Sequence, residues 1–398
     1  MTATTAAIGL LGATVFFLIS PEIRKRKLWT ATALFAIFVG YIWMTLRYAP
    51  PADSRSIAIL LGLLGMLAAG AQDRLSMRPR LPLVVPFLLI LTSAAWSDGT
   101  ATDIAAQAIF TVAIIVATSI QIDEKSFAVA LAWIFILGVL TVGITLITNP
   151  GEARLAGRLT GPAVNPNTLG ALISVTFPAA IHFAPRLAIP LSGVALGVVW
   201  ETGSRASLIA VLLEILILGW SRIPSAARPF AILISLAAFY QVAPGLIESI
   251  KNTGAGSESV LRSNNSRDIV WQQSMTLIRE HPWRGYGLGA PETRIETGSS
   301  LFSAAILGGL TTLAITAACL LHLLLKSISR LGLRDWRTVT LVGGLINASF
   351  EGWLLAAGSA FCLIYWMVAS SALSSADRRE LDEEPIEPTK HGNTPIAT

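Results

Sequence analysis

The chain has 398 residues, 53% of them hydrophobic and only 13% charged, with a formal net charge of +5. A soluble domain carries about 25% charged residues, so the composition excludes an ordinary water-soluble enzyme and predicts an all-α integral membrane protein. In such a protein an excess of Lys and Arg marks loops on one side of the bilayer, so the basic balance is not a nucleic-acid footprint and no nucleic-acid partner is expected.

Taken in chain order, the first apolar run has no basic segment ahead of it, and Arg24-Lys25-Arg26-Lys27 follows it instead. That order predicts an uncleaved first helix with its N-terminus outside. Apolar runs close to the ~20 residues a spanning helix needs predict helices near 3–20, 28–47, 56–71, 81–96, 104–120, 127–148, 167–183, 187–200, 206–220, 229–247, 301–325, 338–356 and 358–373. The expected architecture is therefore about 12–13 transmembrane helices with one long extracytoplasmic loop. Residues 1–247 hold helices 1–10, and 248–300 form the loop with an amphipathic helix. Residues 301–373 hold helices 11–13, and 374–398 are a polar, proline-containing tail expected to be disordered and cytoplasmic. Cys319 and Cys362 both lie in apolar runs, so neither a disulfide framework nor a metal site is expected.

With the N-terminus outside, the inner loops hold fifteen of the 29 Lys and Arg, and the short outer loops only five. That bias supports an N-out, C-in topology in a plasma (inner) membrane. Three outer arginines run against it. Arg158 precedes the turn signal Asn165-Pro166-Asn167, Arg205 heads a helix after Gly203-Ser204, and Arg267 lies in the polar island "SNNSRDIVWQQSMTLIREHPWRGYGLG". A guanidinium fork matches phosphate oxygens in pairs, and a helix start adds backbone N–H groups that favour anions. Three such groups at one interface suit a lipid diphosphate; the plainer alternative is that each snorkels to lipid phosphates or caps a loop.

Within the island, Arg267, Trp271, Met275 and Ile278 fall on one helical face, which predicts a short amphipathic surface helix with Arg267 pointing to the bundle. The "GYGLG" that follows reads as a flexible, tight return towards the membrane. Glu351 is expected near the outer end of a helix. Glu214 is expected mid-span, in a helix–helix hydrogen bond. His182 and His322 fall on the inner side and His391 in the tail, which leaves His281 on the outer face.

In order, "SAAWSDGT", "GRLTGPAVNPNTLG", "TGSRASL", "SRDIVWQQSMTLIREHPWRGYGLG" and "FEGWLLAAGS" resemble the motifs of the O-antigen ligase / O-antigen polymerase superfamily. The resemblance implies a GT-C-like, metal-independent glycosyltransferase that uses no cofactor. Its donor is an undecaprenyl-diphosphate-linked glycan, its acceptor a glycan or lipid, and its leaving group the lipid diphosphate. It assigns Arg205 and Arg267, and more loosely Arg158, to the diphosphate, with Trp271, Asn165 and Asn167 in support. Ligases of the superfamily carry His-Asn where this chain has Thr297-Gly298. The resemblance then leans to polymerase-like members of exopolysaccharide assembly, with Glu351 or Glu296 as the candidate general base. A lipid-linked-glycan transporter or flippase, and a non-catalytic lipid-diphosphate-binding scaffold, stay open as alternatives.

Overall fold

The computed structural model describes residues 80–97, 99–119, 124–151, 153–161, 163, 165–220, 266–294, 297–357 and 359–383. The helices expected near 3–20, 28–47, 56–71 and 229–247 lie outside these residues, as do Glu296 and the tail beyond 383. The described part is almost wholly helical. Its helices are α1 (Leu81–Thr92), α2 (Ala101–Ser119), α3 (Glu124–Thr148), α4 (Pro166–Phe183), α5 (Ala188–Thr202), α6 (Arg205–Gly219), α7 (Ser266–Glu280), α8 (Ser300–Leu331), α9 (Trp336–Ser349) and α10 (Ala360–Glu383). The one sheet among the described residues is a two-stranded antiparallel hairpin, Arg154–Leu155 with Arg158–Leu159. Ala156 and Gly157 both take positive φ at its turn, the backbone a tight hairpin needs.

Three described helices, Ala101–Ser119, Phe127–Thr148 and Ser300–Leu331, are long and apolar enough to cross a membrane. Pro166–Phe183 and Pro185–Thr202 pass as a pair bent by 118°. Helices α5, α6 and α9 have 15, 15 and 14 residues, about 21–23 Å each at 1.5 Å per residue, short of a ~30 Å hydrocarbon core. Of the nine helices expected within the described residues, three are therefore long enough to span alone and two more form the bent pair, while several other apolar runs are short helices.

Two large apolar clusters, with a small one between α7 and α8, make the core of the described residues. One joins α1, α2, the first half of α3, α8, α9 and α10, where Phe87 meets Phe110 and Trp366 edge-on. The other fills the space among α3, α4, α5 and α6. Following each helix along the chain, the basic residues fall at two ends. At one end Lys326 pairs with Asp377 at 2.7 Å, and Arg80 lies 3.8 Å from the same carboxylate. There Arg337, 1% exposed, is clamped by Asp335, Glu124 and Ser375. Arg158 and Arg205 belong to the other end.

Three features differ from the sequence reading. The tail is not disordered from residue 374: α10 runs to Glu383, because Ser370, Ser375 and Asp377 are tied to Arg80, Arg337 and Lys326. Arg337 is a buried cluster member rather than a loop charge. And α8 is broken at Gly309, whose φ of 75° and ψ of −178° interrupt the helix.

That break is closed by the "PWRGYGLG" segment. Tyr286 N and Gly287 N donate to the carbonyls of Ile306 and Leu307 at 2.8 and 2.9 Å, and Leu310 N donates to Pro282 O at 2.7 Å. These are the acceptors and the donor that an unbroken ladder would have used. In an apolar bundle an irregular backbone is tolerated only where protein satisfies it. The segment is therefore a docked strap rather than the flexible connection its glycines suggested. Gly285 lies so close that a Cβ there would come within 2.4 Å of Ile306 O.

Gly309→Ala would place a methyl 2.1 Å from Trp283 O at positive φ. We expect it to destabilise the protein by more than about 1 kcal/mol, read as a lower unfolding temperature in detergent against Gly197→Ala, whose φ is ordinary and where a Cβ would meet nothing within 4 Å. An unchanged transition would show that the strap does not hold the break.

Candidate functional site

At the Arg205 end, the sequence "NPNTLG" builds the start of α4. Asn165 is its N-cap, its side-chain oxygen accepting from Thr168 N at 2.9 Å, and Pro166 takes the first helical position, where a missing N–H matters least. Asn167 accepts from Arg158 Nη2 at 2.7 Å, while Arg158 Nε donates to Thr202 O at 2.7 Å. Arg158 thereby ties the hairpin to the start of α4 and the end of α5. It lies over Gly203, the left-handed C-cap of α5, where a Cβ would come within 3.1 Å of its Nε.

Only Gly203 and Ser204 separate α5 from α6. Ser204 does not cap α6 with its side chain; its hydroxyl meets that of Ser207 at 2.9 Å. Ser207 accepts from Asn347 Nδ2 at 2.7 Å, and Asn347 Oδ1 accepts from Trp353 Nε1 at 2.7 Å. Ser207 and Asn347 are wholly buried. Gly170 on α4 makes room, since a Cβ there would lie 2.3 Å from Ser207 Oγ. A buried polar chain thus runs from the first turn of α6, which begins at Arg205, across α9 to the turn that carries Glu351.

Glu351 lies in that turn, outside α9, which ends at Ser349 rather than near 356. It is 8% exposed. Its carbonyl accepts from Ser300 N and Oγ at 3.0 and 2.6 Å, and the same hydroxyl accepts from Leu354 N at 3.0 Å. The start of α8 and the Glu351 turn are therefore one unit. Thr297 joins it: its hydroxyl meets Ser303 Oγ at 2.6 Å, and a Cβ on Gly352 would lie 3.6 Å from it. The position that reads His-Asn in ligases thus stands beside the Glu351 turn.

Helix α7 spans Ser266–Glu280, with Arg267 at its second position. One turn on, Trp271 stacks on Phe350 at 6.0 Å and 27° and meets Phe302 edge-on at 5.8 Å. The buried face comprises Trp271, Ser274 at 0% exposure and Ile278 at 8%. Met275, expected on that face, is 38% exposed; the spacing of 3 then 4 through the small Ser274 fits the groove of α8 better.

The early "SAAWSDGT" segment interlocks with the strap. Trp96 Nε1 donates to Arg284 O at 3.0 Å, and Ser97 Oγ to Leu288 O at 2.6 Å. Trp96, Trp200 and Trp283 are exposed at this same end, as expected of an aromatic belt at a membrane interface. His281 packs edge-on against Tyr286, whose hydroxyl donates to Glu280. That hydrogen bond, helped by desolvation, pushes the Tyr286 phenol up to about 12, so it stays protonated at neutral pH.

The structure thus brings Arg158, Arg205, the start of α7, Trp271 and Glu351 to one end of the bundle. Asn165, Asn167 and Arg158 are bound into the scaffold there. Sequence reading missed Asn347, Ser207 and Trp353, because a buried amide and a serine carry no charge signal. It also expected a partner for Glu214, yet neither carboxyl oxygen has a hydrogen-bond partner among the described residues.

Asn347→Ala removes the only hydrogen bond described for Trp353 Nε1, so we expect a loss of about 1–3 kcal/mol, measured as a fall in unfolding temperature. Arg158→Lys replaces a fork by a point charge that cannot serve both Thr202 and Asn167, and should lower the same transition. Wild-type stability in both variants would overturn this account of the scaffold.

No curated protein matches the chain. The family model described as O-antigen ligase matches residues 190–308, a segment that includes Arg205, all of α6 and α7, and the strap, but neither Arg158 nor Glu351. This match bears out the resemblance carried by the motifs: over these residues the chain is similar to the O-antigen ligase family.

Proposed function

We propose that this protein transfers or polymerises a glycan carried on undecaprenyl diphosphate at the outer face of a bacterial plasma membrane. The observation that supports this most is the convergence, at one end of the bundle, of the family-matched α6 start and α7 with the buried Glu351 turn. The end that carries Arg80, Lys326 and Arg337 is then cytoplasmic.

In this reading Arg205 and Arg267 hold the donor diphosphate. The uncapped first turn of α6 adds backbone N–H groups to the same anion site. Arg158 supports the site by fixing the α5–α6 junction beneath it. An acceptor hydroxyl attacks the anomeric carbon of the donor sugar. The new glycosidic bond forms as the bond to the diphosphate oxygen breaks, and the hydroxyl proton passes to the Glu351 carboxylate. The leaving group is the lipid diphosphate, its charge stabilised by the arginines. Glu351 takes the place of the missing histidine because Thr297, at that position, packs against the Glu351–Gly352 turn.

Arg205→Ala and Arg267→Ala are expected to abolish long glycan in cells at unchanged protein levels. Glu351→Gln should lower the transfer rate by about 10²–10⁴, with donor binding retained. The deciding assay is the purified protein in liposomes with a defined undecaprenyl-diphosphate oligosaccharide, followed by product sizing. A ladder identifies a polymerase and a single addition a ligase. Full-length product from both arginine variants would sink the proposal, and translocation without a new glycosidic bond would favour the transporter.

A further inference from the structure

Glu214 is unlike every other acid among the described residues. It is 0% exposed, and neither carboxyl oxygen finds a hydrogen-bond partner among them. It lies two turns below Ser207 on the same face of α6, and its carboxyl fills a notch on α9 at Gly343, where a Cβ would come within 1.8 Å of its Oε1. Gly343 is one turn below Asn347. The seam between α6 and α9 therefore carries two contacts on one line: the Ser207–Asn347 hydrogen bond at 2.7 Å and, beneath it, the Glu214–Gly343 seat.

Among the described residues no cation is placed to neutralise this acid. Helices α4, α5 and α9 pack against α6. On α4 the titratable group is His182, at the far end with its ring against Trp336. On α5 it is Glu201, paired with Arg154. On α9 it is Arg337, clamped by Asp335 and Glu124. Arg205 stands more than two turns away at the head of α6. A buried charged carboxylate without a partner is strongly disfavoured, which favours the neutral acid in this seat against α9.

We propose that Glu214 is a positioning residue that works as a neutral, protonated carboxyl. It seats α6 on α9 and so holds Arg205, at the head of α6, in register with Glu351, just past the end of α9. Loss of its proton places an unpaired charge in the seam, pushes the two helices apart and misplaces the diphosphate against the base. The proposal rests on the transferase reading above, and it adds a group that governs the site from a distance without touching substrate.

The test uses the full chain in liposomes with an undecaprenyl-diphosphate oligosaccharide as donor, with transfer rates measured across pH. The parent is expected to lose transfer as pH rises. Glu214→Gln and Glu214→Met, both uncharged and of similar length, should keep the neutral-pH rate within about threefold and lose that alkaline decline. A residue that acted only as filler would leave the pH profile unmoved. Glu214→Ala should lose on the order of a hundredfold, the scale of a small misplacement of reacting groups. Infrared spectra of the parent should show the carbonyl band of a protonated carboxylic acid, absent in Glu214→Gln and fading with rising pH in step with transfer. The same alkaline decline in parent, Gln and Met variants, or no acid band assignable to residue 214, overturns the proposal. Arg205→Ala, run alongside, separates the two readings. Its retention of transfer sinks the diphosphate site itself, whereas its inactivity beside an unmoved Glu214→Gln profile sinks only the positioning role.

Discussion

The architecture depends on how a helix broken inside an apolar bundle keeps its backbone groups paired. Gly309 interrupts α8, and three backbone groups freed there, the carbonyls of Ile306 and Leu307 and the N–H of Leu310, are met by the strap between Pro282 and Gly287. Where no water reaches, an unpaired backbone group costs several kcal/mol, so strap and break have to form together. From this one constraint the positions of α7 and of the "SAAWSDGT" segment follow, because both are anchored through the strap. The glycines of "GYGLG" are required by approach as well as by φ: Gly287 and Gly289 lie against Ser93, Ser97 and Asp103 at distances that leave no room for a side chain.

The second organising element is the seam between α6 and α9. Small and short polar residues let these two helices run close, as in membrane helix pairs generally. The seam links a family-matched cationic helix start to an acid that the family match does not include. The amide of Asn347 serves both sides of it, and Ser300 fastens the same turn to α8. In the proposed reaction the donor-side helix start and the acceptor-side turn are thus locked together by buried hydrogen bonds, the kind of support a preorganised site requires.

Much of this was legible in the sequence. The apolar runs located α1 to α6 and α8 to α10, the spacing in the island gave α7, and Asn165-Pro166 marked the start of α4. Arginines against the topological bias pointed to the end where Arg158, Arg205 and the Glu351 turn come together. What the sequence hid has physical causes. A glycine inside "LGGL" looks like ordinary helix until its φ is known. Lys326, Arg337 and the Ser-rich start of the tail look solvated because charge and small polar residues suggest water, yet here they pair with one another and extend two helices. Asn347 and Ser207 have no period or charge to betray them. Glu351 was placed in a helix because the apolar run continues past Ser349, although the chain turns there to meet Ser300.

The interlock of Ser97 with Leu288 joins residues 191 positions apart. During synthesis α1 enters the membrane long before the strap exists, and at usual elongation rates the gap is roughly ten to forty seconds. Throughout that interval Trp96 and Ser97 lack their strap partners Arg284 and Leu288, and the broken turn of α8 has not been made. The order of translation therefore limits the order of assembly: this end of the bundle waits for the strap, the opposite end waits longer still for Ser370 and Asp377, and no partial chain ending before the strap holds a complete site.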